Sequence, residues 1–208
     1  IEINASIGKR LTLNDLSRRG YQATLLAIGA QGGERLKIPG GDFEGVLIAT
    51  SFMRDFNIGE KVQVGNRVVV VGGGNVAIDC ARTALRLGAV KVHLACLERR
   101  EDMPAAASEI EEAEEEGITI HPSLTFTRIL NEGGKVNGVE CLRVEGVEFD
   151  EDGQPHIDVI EGSKHVLSAD MVIFAVGQTP DLSNLTEDGL IDTTRRGTIA
   201  VDPETLLT

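Results

Sequence analysis

Continuous apolar runs mark three strands of this 208-residue chain. Val68–Val71 is entirely β-branched and apolar. A run without polar positions is typical of a strand that is buried on both faces of a parallel sheet. The segments Lys91–Leu97 and Met171–Val176 are also largely apolar and predict two further strands.

Apolar residues at helical spacing separate these strands. After Val71 they recur every three to four residues and predict a helix that ends at Gly88. A second helix is predicted over Pro104–Glu116, closed by Gly117. A short strand follows at Ile118–Ile120. This strand–helix–strand–helix order favours a parallel sheet with right-handed crossovers.

The pattern changes to short strand-like segments after residue 120. Segments 125–130, 138–144 and 156–160 each predict a strand, and the turn-like sequences NEGGK and DEDGQP separate them. A doubly wound sheet would have another helix here. We therefore expect an α/β fold in which a Rossmann-like parallel sheet carries a three-stranded antiparallel meander in place of one crossover helix.

The two ends of the chain carry weaker patterns. A short helix is predicted to begin at Thr12 or Asn14. Residues Tyr21–Ala30 predict a buried strand, and Val46–Ala49 form another apolar run after a glycine-rich loop. Residues 178–208 show little periodicity, as expected for a connection that leaves the domain.

Composition excludes several classes of partner. The chain carries 20 Lys+Arg against 33 Asp+Glu, a net charge of −13, and lacks the clustered basic residues that nucleic-acid binding requires. No apolar stretch approaches the roughly 18 residues of a membrane span. We find no signal peptide, and because the first residue is Ile1 rather than Met, we expect a portion of a longer protein.

The three cysteines argue against thiol and metal chemistry. Cys80, Cys96 and Cys141 are far apart and form no CxxC motif. We therefore expect neither a disulfide framework nor a zinc or iron–sulfur site built from this chain alone. A thioredoxin-reductase-like dithiol enzyme is nearly excluded for the same reason. A reducing, cytoplasmic compartment fits this cysteine usage.

The strongest chemical motif is the glycine-rich sequence after Val71. Residues 72–77, Gly-Gly-Gly-Asn-Val-Ala, fit the pattern G-x-G-x-x-A. Gly72 permits a tight turn, Gly74 lets a pyrophosphate approach the backbone, and Ala77 keeps the helix close to the sheet. Backbone N–H groups at the positive helix terminus would hold the anion. We interpret the motif as a dinucleotide site, and a tight turn without a ligand is the alternative.

The residue that selects between NAD(H) and NADP(H) is expected at the end of the next strand. Glu98 lies 24 positions after Gly74 (98 − 74), close to the spacing expected for an acidic residue that bonds the ribose 2′-OH. A carboxylate there repels a 2′-phosphate, which favours NAD(H). Arg99 and Arg100 follow directly and keep NADP(H) open as the alternative.

The other titratable residues indicate no catalytic group. We expect the four histidines to be structural or exposed, and the six glutamates within residues 109–116 to form a solvated face. Asp79 and Arg82 are expected to pair locally or to pack against a neighbouring domain. We find no nucleophile–base pair, as expected where the chemistry is hydride transfer between cofactors. The histidines are His93, His121, His156 and His165.

Four sequence strings together resemble the glutamate synthase small-subunit family and the related reductase region of dihydropyrimidine dehydrogenase. They are VVVVGGGNVAIDCARTALRLGA, ERREDMPA, ASEIEEAEEEGI and ADMVIFAVGQTPDLS. The resemblance covers nearly the whole chain. It implies a flavoprotein in which an NAD(P)H domain is inserted into an FAD domain. It accordingly implies a partial FAD-domain segment at residues 1–60, the NAD(P)H-binding domain at 61–177 and a returning FAD-domain segment at 178–208.

The resemblance also implies roles for individual residues. The pyrophosphate site is assigned to the glycine-rich sequence, the nicotinamide side to Ala175, Val176 and Gly177, and the junction with the FAD domain to Gly29 and Ala30. Many relatives have two basic residues where Leu97 and Glu98 stand here, and this departure supports NAD(H). The pyrophosphate residues are Gly72, Gly73, Gly74, Asn75, Val76 and Ala77.

We thus expect the NAD(P)H-binding portion of a glutamate synthase small-subunit-like oxidoreductase. The whole protein would pass a hydride from NAD(P)H to FAD and then electrons to iron–sulfur clusters or to a large synthase-like or electron-transfer subunit. This portion alone would bind nucleotide without turnover. The alternative function is a non-catalytic NAD-sensing module that regulates a partner.

Overall fold

The computed structural model describes residues 1–8, 10–149, 155–185, 190–195 and 197–208. The chain divides into a larger unit, residues 33–177, and a smaller unit made of residues 1–32 and 178–208. Residues 33–60, which the sequence analysis grouped with the first segment, therefore belong to the larger unit. They do so because one of their strands joins the parallel sheet.

Eleven strands and four α-helices are described. The strands are β1 (Gly32–Gly33), β2 (Val46–Ile48), β3 (Arg67–Val71), β4 (Lys91–Ala95), β5 (Thr119–His121), β6 (Leu124–Glu132), β7 (Lys135–Phe149), β8 (Pro155–Val159), β9 (His165–Ser168), β10 (Met171–Phe174) and β11 (Gln178–Thr179). The helices are α1 (Leu13–Arg18), α2 (Ala49–Asn57), α3 (Asn75–Arg86) and α4 (Ala107–Glu115), with a 3₁₀ turn at Arg100–Asp102.

Five strands form the predicted parallel sheet, in the order β2-β10-β3-β4-β5. Every neighbouring pair in it is parallel. The central strand β3 buries alternate residues on opposite faces. Val68 and Val70 belong to the cluster that includes α3 and α4, whereas Val69 and Val71 belong to the cluster on the other face. The uninterrupted valine run is thus explained, because neither face of β3 meets solvent.

The predicted antiparallel element covers the second face of the parallel sheet. Strands β6, β7 and β8 pair antiparallel in that order, and residues of β6 and β7 pack in the same apolar cluster as Val69 and Val71. The structure adds a fourth strand, because β9 also pairs with β7. Its four residues, His165–Ser168, alternate in burial but are too short to stand out in the sequence. The predicted DEDGQP turn lies largely outside the described residues.

The predicted α/β architecture is confirmed, with shifts at several element ends. Helix α4 begins at Ala107, three residues after the predicted Pro104, and β10 ends at Phe174 rather than Val176. Pro104, Ala175 and Val176, which fall outside these elements, line a cleft. No described helix is long and apolar enough to cross a membrane.

The smaller unit has little regular structure in its described residues. Helix α1 starts with a capping box: the Thr12 hydroxyl accepts from the Asp15 backbone N–H, and the Asp15 carboxylate accepts from the Thr12 N–H. A small apolar cluster contains Leu182, Leu185 and Ile191. The strand predicted over Tyr21–Ala30 is not formed, because no described strand pairs with it; Leu25 is largely exposed.

Candidate functional site

A crevice opens at the point in the parallel sheet where strands that follow β3 in sequence lie on both of its sides. From β3 the chain moves to β4 and β5 on one side, then returns through the meander to β10 on the other side. The backbone N–H of Ala175, just after β10, donates to the carbonyl of Val71 at 2.8 Å. Ligands of open α/β sheets bind outside the carboxyl ends of the strands at such a switch point.

The Gly-rich turn, residues 72–74, forms the floor of this crevice. Gly72 has φ +140°, and a Cβ atom there would overlap the carbonyl oxygen of Ala175. A Cβ on Gly73 would lie 2.8 Å from Oε2 of Glu98 and 3.1 Å from Cβ of Cys96. Gly72 is therefore required by fixed backbone, whereas a side chain at Gly73 would crowd Cys96 and displace the flexible Glu98 carboxylate.

Gly74 has a different environment. A Cβ atom built on it meets no protein atom within 4 Å, although Gly74 lines a cleft. The space in front of it is open rather than filled by the protein. Such an opening at the start of a helix is what a pyrophosphate needs in order to approach the backbone.

We call the space next to the Gly-rich turn the Gly-turn cleft. Its volume is about 460 Å³. The described lining is mostly apolar and comes from the sheet edge, the meander and two connecting segments, with Glu98 as its charged member. Apolar lining residues include Leu36, Leu97, Pro104, Leu124, Phe126 and Ile157.

Helix α3 begins at this cleft, with Gly74 as its N-cap residue. The N–H of Ala77 donates to the Gly74 carbonyl at 2.9 Å, and Ala77 is fully buried. The first N–H groups of a helix have no intrahelical acceptor, so they present partial positive charge to the cleft. Val76 is half-buried and packs against the core on the helix side of the sheet.

The side chain of Asn75 makes a contact that the sequence does not predict. Its Oδ1 accepts a hydrogen bond of 2.8 Å from the backbone N–H of Ala106, at the start of α4. The amide oxygen of Asn75 therefore faces a second helix terminus, while its backbone belongs to the first turn of α3.

The three predicted selector residues separate in the structure. Glu98 is half-buried beside Gly73 and lines the Gly-turn cleft as well as a second cleft of about 360 Å³. Arg99 is exposed and lines only the second cleft, which we call the hairpin cleft because residues 144–147 of the meander form its other wall. Arg100 forms an ion pair with Glu114 at 2.7 Å. Glu98 thus lies next to the Gly-rich turn, whereas Arg100 is directed to α4.

The remaining predicted residues lie at the end of β10 or in the smaller unit. Ala175 and Val176 line the Gly-turn cleft. Gly177 has φ +148°, and a Cβ there would lie 3.3 Å from the Glu34 carboxylate. Gly29, in the smaller unit, has φ +69° and is exposed, and Ala30 is half-buried.

Sequence reasoning missed the contribution of the meander and of Leu36. Leu124, Thr125 and Phe126 follow the edge strand β5 and close one side of the Gly-turn cleft. The strand was predicted, but its place at the cleft depends on packing of Leu124 and Phe126 against the second face of the parallel sheet, which the local sequence does not show. Pro104 also lines the cleft. It lies in ERREDMPA, one of the four strings that carried the resemblance, and this string was the available sequence signal for its role.

The described cysteines and acidic residues offer no redox or metal centre. All three cysteines are free and buried, and burial raises the pKa of each thiol to about 12. Protonated thiols are poor nucleophiles. Within the described ranges, no three histidine, cysteine, aspartate or glutamate side chains are grouped to hold a metal ion.

Two of the four histidines form a pair on adjacent strands. Nε2 of His121 lies 2.8 Å from Nδ1 of His93. Burial lowers the pKa of both, that of His93 to about 4, and Lys91 adds to the effect. One neutral ring must donate to the other at this distance.

Arg82 is bound by α4 and not by Asp79 as the spacing suggested. Its guanidinium lies 2.9 Å from Glu109, 3.0 Å from Glu112 and 2.6 Å from Glu116. The hydrogen bonds that the Arg82 guanidinium donates to Glu116 raise the pKa of Arg82 and lower the pKa of Glu116. The glutamates at residues 109–116 were expected to form a solvated face, but three of them bind Arg82 and thereby attach α4 to α3.

Known proteins with similar sequences are pyridine-nucleotide-linked oxidoreductases. Residues 4–206 match the family described as pyridine nucleotide-disulphide oxidoreductase. The NADP(+)-dependent formate dehydrogenase subunit beta of Moorella thermoacetica is 40% identical over 100% of this chain, and the alignment covers 29% of that relative. The glutamate synthase small chain of Azospirillum brasilense is 34% identical over 99% of the chain and 45% of its own length. The chain thus spans less than half the length of these relatives.

The resemblance to glutamate synthase small subunits is confirmed by these relatives, and solved structures support the fold. Thioredoxin reductase of T. acidophilum has a TM-score of 0.58 at 22% identity, covering 83% of this chain and 50% of that structure. An FAD-dependent pyridine nucleotide-disulphide oxidoreductase from Desulfovibrio vulgaris has a TM-score of 0.56 at 20% identity, covering 83% and 40%.

Proposed function

Because the chain belongs to the pyridine nucleotide-disulphide oxidoreductase family, we propose that its larger unit binds a nicotinamide dinucleotide in the Gly-turn cleft. Open space in front of Gly74 carries this proposal, since the neighbouring glycines Gly72 and Gly73 are packed against protein and Gly74 is not. The dinucleotide's pyrophosphate would rest on the N–H groups that follow Gly72, up to the first turn of α3, because the N–H of Gly72 itself donates to Ala95 at 2.9 Å. Ala175 and Val176 would lie on the nicotinamide side.

The residues present fit such a ligand in shape and charge. The cleft combines apolar walls for flat rings with one helix terminus for the anionic centre. A basic side chain is not needed, because the partial charge of the helix start and the backbone donors supply the attraction. The net charge of −13 is therefore compatible with an anionic ligand.

We further propose that NAD(H) is favoured over NADP(H). The carboxylate of Glu98 lies beside Gly73, where it would accept from a ribose hydroxyl and repel a 2′-phosphate. Arg100 is held by Glu114, which leaves Arg99 as the nearby cation for NADP(H). The relatives are named for NADP, and the departure at Leu97 and Glu98 is our reason for proposing a different preference here.

The reaction is proposed for the longer protein that contains this chain. The reduced nicotinamide of a bound NAD(P)H would supply a hydride, that is, two electrons and a proton, to an FAD held elsewhere in that protein. What this chain contributes is the binding surface, the orientation of the ring at the end of β10, and an apolar cleft that limits water. Electron transfer to iron–sulfur clusters or to a partner subunit, and the assignment of residues 1–32 and 178–208 to an FAD domain, extend the same proposal.

Calorimetric titration of the 208-residue chain with NADH and NADPH tests the proposal. We expect NADH to bind more tightly, with no NADH-dependent ferricyanide reduction by this chain alone. Leu97→Arg with Glu98→Arg should shift the affinity ratio toward NADPH by about tenfold, or about 1.4 kcal/mol. Failure to bind either nucleotide would refute the site, an unchanged ratio would refute Glu98 as selector, and bound flavin with turnover would refute the proposed division of labour.

A further inference from the structure

We propose that Asn75 is a positioning residue for nucleotide binding. Its side chain holds the start of α4, and with it the connection from Glu98 to Ala106, against the Gly-rich turn. This inference rests on the proposed function, and it assigns to Asn75 a role that its place in the glycine motif does not suggest. The role is carried out by a hydrogen bond between two helices.

Two hydrogen bonds join the Gly-rich turn to the start of α4. Oδ1 of Asn75 accepts from the N–H of Ala106 at 2.8 Å, across a sequence separation of 31 residues. The N–H of Ala105 donates to the carbonyl of Gly73 at 3.1 Å. The consecutive N–H groups of Ala105 and Ala106 are thus bound by Gly73 and Asn75, respectively.

The Asn75 side chain satisfies one backbone N–H at the start of α4, that of the N-cap residue Ala106. The N-cap residue of α4 is Ala106, and its side chain makes no capping hydrogen bond, because a methyl group has no acceptor. A side chain at the N-cap position accepts from N–H groups inside the first turn, whereas the N–H of the N-cap residue itself needs an acceptor from elsewhere. Here the acceptor is supplied by the first residue of a different helix.

The rest of α4 is fastened independently of Asn75. Arg82 of α3 binds Glu109, Glu112 and Glu116 along the helix, and Ile110 and Ala113 are buried in the core cluster. Removal of the Asn75 amide should therefore leave α4 docked. The change should be confined to its first turn and to the segment that precedes it.

That segment forms the walls of both clefts. Pro104 lines the Gly-turn cleft, and Arg99 and Asp102 line the hairpin cleft. Their distance from the Gly-rich turn depends on the Asn75 and Ala105 hydrogen bonds. Ala175, on the nicotinamide side, is bonded instead to Val71 of β3. The geometry therefore assigns Asn75 to the adenosine half of the site, with no effect on the nicotinamide half.

The test compares Asn75→Ala, which removes the acceptor, with Asn75→Asp, which retains an Oδ acceptor facing a helix N-terminus. Asn57→Ala, at the exposed end of α2, is the matched control. Binding of NADH, AMP and nicotinamide mononucleotide is measured by calorimetry, and amide hydrogen exchange is followed over residues 105–109 without ligand.

We expect Asn75→Ala to weaken NADH and AMP binding about tenfold, to leave nicotinamide mononucleotide unchanged, and to speed exchange at the start of α4. Asn75→Asp should keep slow exchange and stay within about threefold of the unchanged protein for NADH. Faster exchange with unaltered NADH affinity would show a purely structural cap and overturn the inference. Equal loss in both variants with unaltered exchange would show direct ligand contact and also overturn it. If the unchanged protein binds no NADH, the proposed function fails first, and the inference fails with it.

Discussion

A side-chain carbon on Gly72 would overlap the carbonyl oxygen of Ala175. These residues follow β3 and β10, the two neighbouring strands on either side of the switch point. Their close approach lets the N–H of Ala175 donate to Val71 at 2.8 Å and closes the sheet beneath the crevice. The glycine at this position therefore serves the protein's own packing, before any ligand is considered.

Gly72→Ala should destabilise the protein strongly. Both a left-handed φ and a clash with fixed backbone oppose the new methyl group, and we expect a loss on the order of 3 kcal/mol in the free energy of unfolding. Gly88→Ala is the matched control, because Gly88 has φ +104° and no neighbour within 4 Å of a built Cβ. It should lose only about 1–2 kcal/mol. Equal urea midpoints for the two variants would contradict the steric role of Ala175.

Gly74→Ala should leave the stability of the protein nearly unchanged but weaken NADH binding. The methyl group would enter open space, and φ at Gly74 is −93°, a value that alanine adopts readily. We therefore expect the urea midpoint to stay nearly unchanged. NADH affinity should fall at least tenfold, because the methyl group occupies the approach of the pyrophosphate. Calorimetry and urea denaturation on the same preparation separate the two effects, and unchanged affinity would argue against a pyrophosphate at Gly74.

Arg82→Gln should lower the urea midpoint more than Arg86→Gln does. Arg82 bridges two glutamates of α4 and its C-cap residue Glu116, and its side chain is 17% exposed, whereas Arg86 is 58% exposed and forms an ion pair with Glu116. Loss of Arg82 leaves crowded carboxylates without their shared cation. In 1 M NaCl the difference between the variants should shrink, because salt screens exposed charges. A difference that does not depend on salt would indicate lost packing rather than lost charge.

The parallel sheet and the glycine motif could be predicted because both are local in sequence. The valine run of β3 and the G-x-G-x-x-A pattern after it need no knowledge of distant residues. The start of α1, predicted at Thr12 or Asn14, is local in the same sense, and the structure has Thr12 as the N-cap residue. Patterns of this kind reflect backbone geometry, which the neighbouring residues determine.

The contacts between distant segments could not be predicted. Asn75 bonds Ala106 across 31 residues, and Arg82 bonds Glu116 across 34, whereas the sequence offered Asp79 as the nearer partner. An ion pair is decided by which helix faces pack together, and one sequence does not show this. The fourth meander strand was missed for a related reason, since β9 acquires its register from β7.

The His93–His121 pair predicts a loss of stability in mild acid. Burial, the neighbouring His121 and Lys91 lower the pKa of His93 to about 4, whereas a histidine in the unfolded chain titrates near 6.5. Between these values the unfolded chain binds more protons than the folded one. The free energy of unfolding is therefore fully maintained above about pH 6.5 and decreases as the pH falls toward 4.

The expected loss attributable to His93 between pH 7.5 and pH 5 is at most about 2 kcal/mol. This window lies largely above the region where carboxylates with lowered pKa values, such as Glu140 at about 2, begin to lose their stabilising charge. His93→Gln should flatten the dependence of the urea midpoint on pH between 7.5 and 5. His156→Gln, at an exposed position on β8, should leave that slope as it is in the unchanged protein. Parallel slopes for all three proteins would show that the buried imidazole pair does not control acid stability.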